Sequence, residues 1–313
     1  MTTPTLALAH LTILGTPPPV MATLAATAGY RSIGIRLLPA TSSEIRHDMG
    51  PGSYLLKETR KALEDTGITV LDVEALSLDS KISRDDWLVA LDVARQLGAR
   101  ILNVIGSDWT RDRLIDRFAL LAADAEGFGI RASLEPISYQ AVSTIEDASS
   151  IVTEVGRGGI MLDTLHFQRA GSQPEDIENV PLAQFSMLQL SDGPIAERKE
   201  VAIPANDPMG QREGATAREL ESRVLRDLPG DGEFPLVRLL RRLGPTIPVS
   251  VEVPNPALLE HMGEAGYIKL AYQKAASLLH DAYEAPAAEA SPTNQRHLAS
   301  VTTYPTDDWQ DKR

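Results

Sequence analysis

Four polar residues close four successive apolar runs in the second half of this chain: Glu135 in RASLEP, Asp163 in GIMLDTLHF, Gln189 in FSMLQLSD and Glu252 in PVSVEVP. A strand that reads apolar and ends in a carboxylate or amide delivers that group to one edge of a sheet. Four consecutive strands doing so converge four oxygen donors, three anionic and one neutral. An all-oxygen set of this kind suits Mg²⁺ or Mn²⁺, with Co²⁺ also acceptable; zinc sites usually carry His or Cys. Three carboxylates in one enclosed mouth repel one another, and a divalent cation removes that cost. Any one of these residues alone reads as a loop cap or a partner of Lys or Arg. Four in succession favour the metal.

Further candidates lie close by in sequence. His166 follows Asp163 by three residues and can reach the same space, or cap a helix. Asp192 follows Gln189 by three and is placed to orient a ligand. Arg36 in IGIRLL and Glu74 in VLDVEAL end two earlier apolar runs. A charged residue there needs a partner, so they either pair with each other or bind substrate. Trp109 and Phe167 are candidates for an apolar wall, though isolated aromatics usually pack. Arg223 and Arg226 precede the turn PGDG, where they contact substrate or form surface ion pairs.

These residues need a scaffold that aligns strand ends. Strand patterns fall at 6–13, 31–37, 68–76, 100–105, 130–135, 159–163, 185–190 and 248–253. Helical patterns lie between them at 18–28, 54–66, 84–98, 111–128, 144–155, 174–179, 214–227 with 235–243, and 256–282. Ser83 with Asp86 and Thr144 with Asp147 read as helix starts, and Gly29, Gly67, Gly98, Gly129 and Gly156 as stops. Eight strand–helix units predict an α/β fold, a closed (β/α)8 barrel over 1–282 whose active site lies at the C-terminal strand ends. No dinucleotide fingerprint or phosphate loop is present. Residues 193–214 form a long insert after strand seven that should overhang that end as a lid. Residues 283–313 are rich in Ala, Pro and polar residues and read as a flexible tail.

Composition limits the partners. With 30 basic and 43 acidic residues the formal charge is -13, which disfavours nucleic acid and anionic membranes. There is no cysteine, so disulfides and thiolate ligands are excluded. No basic leader precedes the first apolar run, which makes the cytoplasm the expected location.

The pieces LEP, MLDTLHF, LQLSDG and SVEVP, with the PGDG turn at 229–232, resemble the xylose-isomerase-like TIM barrel superfamily over roughly residues 5–280. That group holds sugar isomerases, ketose 3-epimerases, inosose dehydratases and 3-dehydroshikimate dehydratases. The resemblance implies proton abstraction beside a carbonyl, with Glu135 and Glu252 as proton-transfer groups. It also implies a metal on Glu135, Asp163, Gln189 and Glu252. The third ligand of the sugar epimerases is usually histidine, and Gln189 departs from that pattern. Endonuclease IV shares the fold but carries several zinc-binding histidines and a basic groove, unlike this acidic chain. The first expectation is an isomerase or epimerase of a polyhydroxy carbonyl, working as a homodimer or homotetramer. The alternatives are a metal-dependent lyase that dehydrates a cyclic polyhydroxy ketone, and an inactive barrel serving as a binding subunit.

Overall fold

The computed structural model describes residues 4–41, 43–205, 207–210 and 214–284. Eight parallel strands close into one barrel in sequence order. They are β1 (Leu6–Leu8), β2 (Ser32–Arg36), β3 (Thr69–Leu78), β4 (Ile101–Gly106), β5 (Arg131–Glu135), β6 (Gly159–Asp163), β7 (Phe185–Leu190) and β8 (Val249–Val251). Around them lie α1 (Pro18–Ala28), α2 (Tyr54–Thr66), α3 (Arg84–Gln96), α4 (Arg111–Gly127), α5 (Ile145–Val155), α6 (Thr164–Arg169), α7 (Ala217–Val224), α8 (Leu236–Leu243) and α9 (Pro256–Tyr283). The expected tail lies, from residue 285 on, outside the described residues.

Local chemistry accounts for the boundaries. Ser83 accepts from the Asp86 N–H while Asp86 accepts from the Ser83 N–H, and this reciprocal cap starts α3. Gly67 and Gly156 end α2 and α5 at φ 71° and 70°, a conformation that costs a residue with a Cβ. The strands are buried on both faces, so their apolar residues run continuously where the helices cover them.

Two of the differences from expectation bear on the site. The first strand stops at Leu8 rather than 13, because His10–Ile13 turn into a 3-10 helix. Within that turn the Thr12 hydroxyl donates to the Val251 carbonyl and accepts from the Val253 N–H, both at 3.0 Å. The turn thereby fastens the first loop to the end of β8. The second difference is α6, a helix of six residues directly after β6 that apolar spacing does not announce. It forms because Asp163 Oδ1 accepts from the N–H groups of Leu165 (2.7 Å) and His166 (3.1 Å).

Thr12→Val keeps the shape but leaves a buried carbonyl and a buried N–H unpaired. It should lower stability by about 1–3 kcal/mol in urea unfolding. An unchanged midpoint would contradict the role given to Thr12.

Candidate active site

Glu135, Asp163 and Gln189 end β5, β6 and β7, and Glu252 follows β8 by one residue. Strand register sets Asp163 beside Gln189, and Gln189 beside Ser250, which is two residues before Glu252. All four side chains are buried. Arg226 joins them, 2% exposed. Its guanidinium reaches Asp163 Oδ2 at 2.6 Å and Glu252 Oε2 at 3.0 Å. Gln189 Nε2 donates to Glu252 Oε1 at 2.9 Å, so both oxygens of Glu252 are engaged. Asn103, on β4, donates to Glu135 Oε2 at 2.8 Å.

Burial drives the protonation states, and the arginine divides them. Burial pushes the Glu135 carboxyl up to about 7, helped by the Asp163 charge and opposed by the Asn103 hydrogen bond. Burial also raises Glu252, against the pull of Arg226. For Asp163 burial is outweighed by Arg226, by His166 and by the hydrogen bonds it accepts, and its carboxyl stays below the usual range. Burial lowers His166 to about 4, so at neutral pH its imidazole is uncharged and able to act as a ligand.

The donors fit a cation. Glu135, Asp163 and His166 each offer one ligand atom, and these atoms lie within 4.8 Å of one another. The Gln189 Oε1 atom is buried and has no hydrogen-bond partner among the described residues, which leaves a neutral oxygen available. Glu252 does not belong to the close triad, because Arg226 and Gln189 hold it. The close group of donors therefore has His166 beside Glu135 and Asp163.

Above these residues opens a cavity of about 600 Å³, lined by Arg36, Glu74, Glu135, His166, Arg223, Arg226 and Glu252 among others. Arg36 sits 3.5 Å from both Glu44 and Glu74. Tyr139, another lining residue, bonds the Ser222 hydroxyl at 2.9 Å and packs edge-on against His166. Arg223 lies over the Tyr139 ring. Part of the insert after β7 reaches this mouth, where Met209 lines the cavity. Arg169 binds the Pro194 carbonyl at its root, while the Pro208 and Met209 carbonyls accept from Ile45 N–H and the Thr41 hydroxyl. Met209 packs on Leu11 and Leu14, so a strand-seven loop rests on the loops after β1 and β2.

Three expectations are corrected. Asp192 makes no cavity surface: its carboxylate accepts from the N–H groups of Gly193, Gly230 and Phe234 and builds the PGDG turn. Trp109 is 78% exposed and outside the cavity, next to Asp108, which accepts from Arg113 and the Thr110 N–H. Phe167 packs in the core, the commoner of the two uses expected of it. Arg226 is no surface arginine but the clamp of the site. Asn103 is not among the residues expected from sequence, though one Asn inside the apolar run ILNVIG is a signal for it.

Residues 22–278 match the family model described as xylose isomerase-like TIM barrel. The chain belongs to this family. No curated protein matches it. Among solved structures it is similar to the IolI protein with a bound zinc atom, at 18% identity and TM-score 0.66, covering 89% of this chain and 99% of that one. D-psicose 3-epimerase with D-tagatose, from Clostridium cellulolyticum H10, is 15% identical with TM-score 0.60, covering 89% and 98%. A xylose isomerase-like TIM barrel/4-hydroxyphenylpyruvate dioxygenase fusion protein is 21% identical with TM-score 0.62; the match covers 81% of this chain and only 39% of the fusion. At such identities the likeness concerns the fold.

Arg226→Met removes the counter-charge from two buried carboxylates. In metal-free protein it should cost about 3–5 kcal/mol of stability by thermal or urea unfolding. A loss below about 1 kcal/mol, the range of exposed pairs, would show that the clamp is not holding the site.

Proposed function

We propose that this chain is a divalent-cation-dependent isomerase or epimerase that moves a proton beside the carbonyl of a sugar or related polyhydroxy substrate. One observation carries the reading. Among the described residues, six buried carboxylates, Glu44, Asp72, Glu74, Glu135, Asp163 and Glu252, interact with two buried guanidiniums, Arg36 and Arg226. Even with one of the six protonated, three negative charges are left without compensation. Buried charge at that density calls for a cation. Glu135, Asp163 and His166, with the free Gln189 oxygen, would hold it. The zinc of the IolI protein is consistent with a cation in this fold; Mn²⁺ or Mg²⁺ suits the mostly oxygen set, and Co²⁺ is acceptable.

When bound, the cation supplies Lewis-acid polarisation of a substrate carbonyl. The protein groups do the rest. Glu135 and Glu252 stand three strands apart around the mouth, placed to meet a substrate from different sides. One takes the α-proton and the other returns it. Arg226 and Gln189 fix the Glu252 carboxylate, so little reorganisation is needed. Neutral His166 helps to hold the cation, and Met209 of the insert covers part of the mouth. The epimerase neighbour with D-tagatose supports a polyhydroxy substrate of this size.

A second reading, dehydration of a cyclic polyhydroxy ketone, has its own support. Arg46 and Lys81 line the cavity, and among the described residues neither side chain has a carboxylate partner. They are suited to an acidic substituent on such a ring.

Proton NMR in D₂O with Mg²⁺, on ketoses, inososes and 3-dehydroshikimate, tests both. Deuterium α to a carbonyl with a growing epimer or isomer supports the first reading. Loss of a hydroxyl with new olefinic signals supports the second, and no exchange on any substrate counts against both. Glu252→Gln should abolish turnover and leave the folded circular dichroism spectrum intact; near-wild-type turnover would remove its proton-transfer role. Verified metal removal should also abolish turnover, and full activity afterwards would refute the cation.

A further inference from the structure

Beneath the cavity floor lies a carboxylate that the proposed reaction does not use. Asp72 is 0% exposed, on β3 two residues before Glu74, which is 1% exposed. The two carboxylates crowd together over Gly34 of β2. A Cβ built on Gly34 would lie 2.7 Å from Glu74 Oε1 and 2.9 Å from Asp72 Oδ1. Only glycine leaves room for both. Gly34 stands in register with Asp72, so the space is set by the strand pairing itself.

Their donors are unequal. Glu74 Oε1 accepts from the His10 N–H at 3.2 Å, and Glu74 Oε2 lies 3.5 Å from an Arg36 nitrogen. Neither oxygen of Asp72 has a hydrogen-bond partner among the described residues. Glu74 Oε2 likewise accepts no hydrogen bond. Two buried carboxylates side by side cannot both be ionised, and the one without donors is the one that keeps a proton.

We propose that Asp72 is a carboxylic acid that stays protonated at neutral pH and donates its hydrogen to Glu74. Glu74 thereby becomes a fixed anion that accepts hydroxyl hydrogens of the substrate. Glu74 lines the cavity and Asp72 does not, so Asp72 acts as a positioning residue. The substrate part rests on the polyhydroxy reading above; the protonation does not. Burial and then the Glu74 charge push the Asp72 carboxyl well above the usual range, with Glu135 on β5 adding to the push and Arg36 on β2 opposing it. Around Glu74 stand Arg36, the His10 N–H, Glu44 and Arg226, and Glu252 interacts with it across the floor. A charged acceptor makes the shared hydrogen bond stronger than a neutral one.

Carbon-13 NMR of the full chain labelled at the aspartate γ-carbon, with Mg²⁺ present, tests this without any substrate. One aspartate resonance should keep the chemical shift of a protonated carboxyl through neutral pH. That resonance should vanish in Asp72→Asn, a variant whose amide still donates to Glu74 and so preserves the fold. It should move in Glu74→Gln, which provides an assignment if Asp72→Asn does not fold. A wild-type spectrum with every aspartate ionised at neutral pH overturns the proposal, as does a protonated resonance that survives in folded Asp72→Asn. Failure of the proposed reaction would leave this spectrum as it is, so the two readings fail separately.

Discussion

The structure depends on how one end of a barrel tolerates more buried negative charge than its arginines can balance. Arg226 is the central device. Its guanidinium bridges Asp163 on β6 and Glu252 after β8, and so draws together groups on strands that are not neighbours. A bridge of that kind is strong only because each partner has further support. Asp163 caps α6, and Glu252 takes the Gln189 amide. Severed from Arg226, either carboxylate would be an uncompensated charge in the core.

That arrangement also sorts the acids by role. The charge of Arg226 keeps Asp163 anionic and ready to hold a cation. Among the described residues Glu135 has the Asn103 amide as its direct donor, and burial pushes its carboxyl up to about 7, which suits the proton transfer proposed for it. Asp72, with no donor among the described residues, is the one suited to remain neutral. Position relative to two arginines, rather than residue type, sets these carboxyls apart.

The barrel was largely legible in the sequence because its strands read as apolar runs and its helices carry caps and glycine stops. Leu6–Leu8 was overextended because LTIL continues the apolar run, and only a tertiary bond from Thr12 to β8 turns the chain there. Glu135, Asp163, Gln189 and Glu252 were visible for a physical reason: each alone could cap a loop, but four successive apolar strands ending in oxygen donors bring those donors to one edge of the barrel. His166 was visible as a neighbour of Asp163. The clamp was harder to see. Nothing local distinguishes Arg226 from Arg223, three residues earlier, yet one is buried between carboxylates and the other lies over Tyr139. Asp192 misled for the opposite reason. Its acidic side chain sits at ligand spacing, but a turn of backbone N–H groups captures it.

The central claim is that the surplus charge is met by a divalent cation between β5 and β6. The direct measurement is the anomalous scattering of crystals grown with Mn²⁺. The account predicts one strong peak within coordination distance of Glu135 and Asp163, with His166 or the Gln189 oxygen completing the shell. A map at saturating Mn²⁺ with no peak there, and Arg226 alone bridging Asp163 and Glu252, would contradict it.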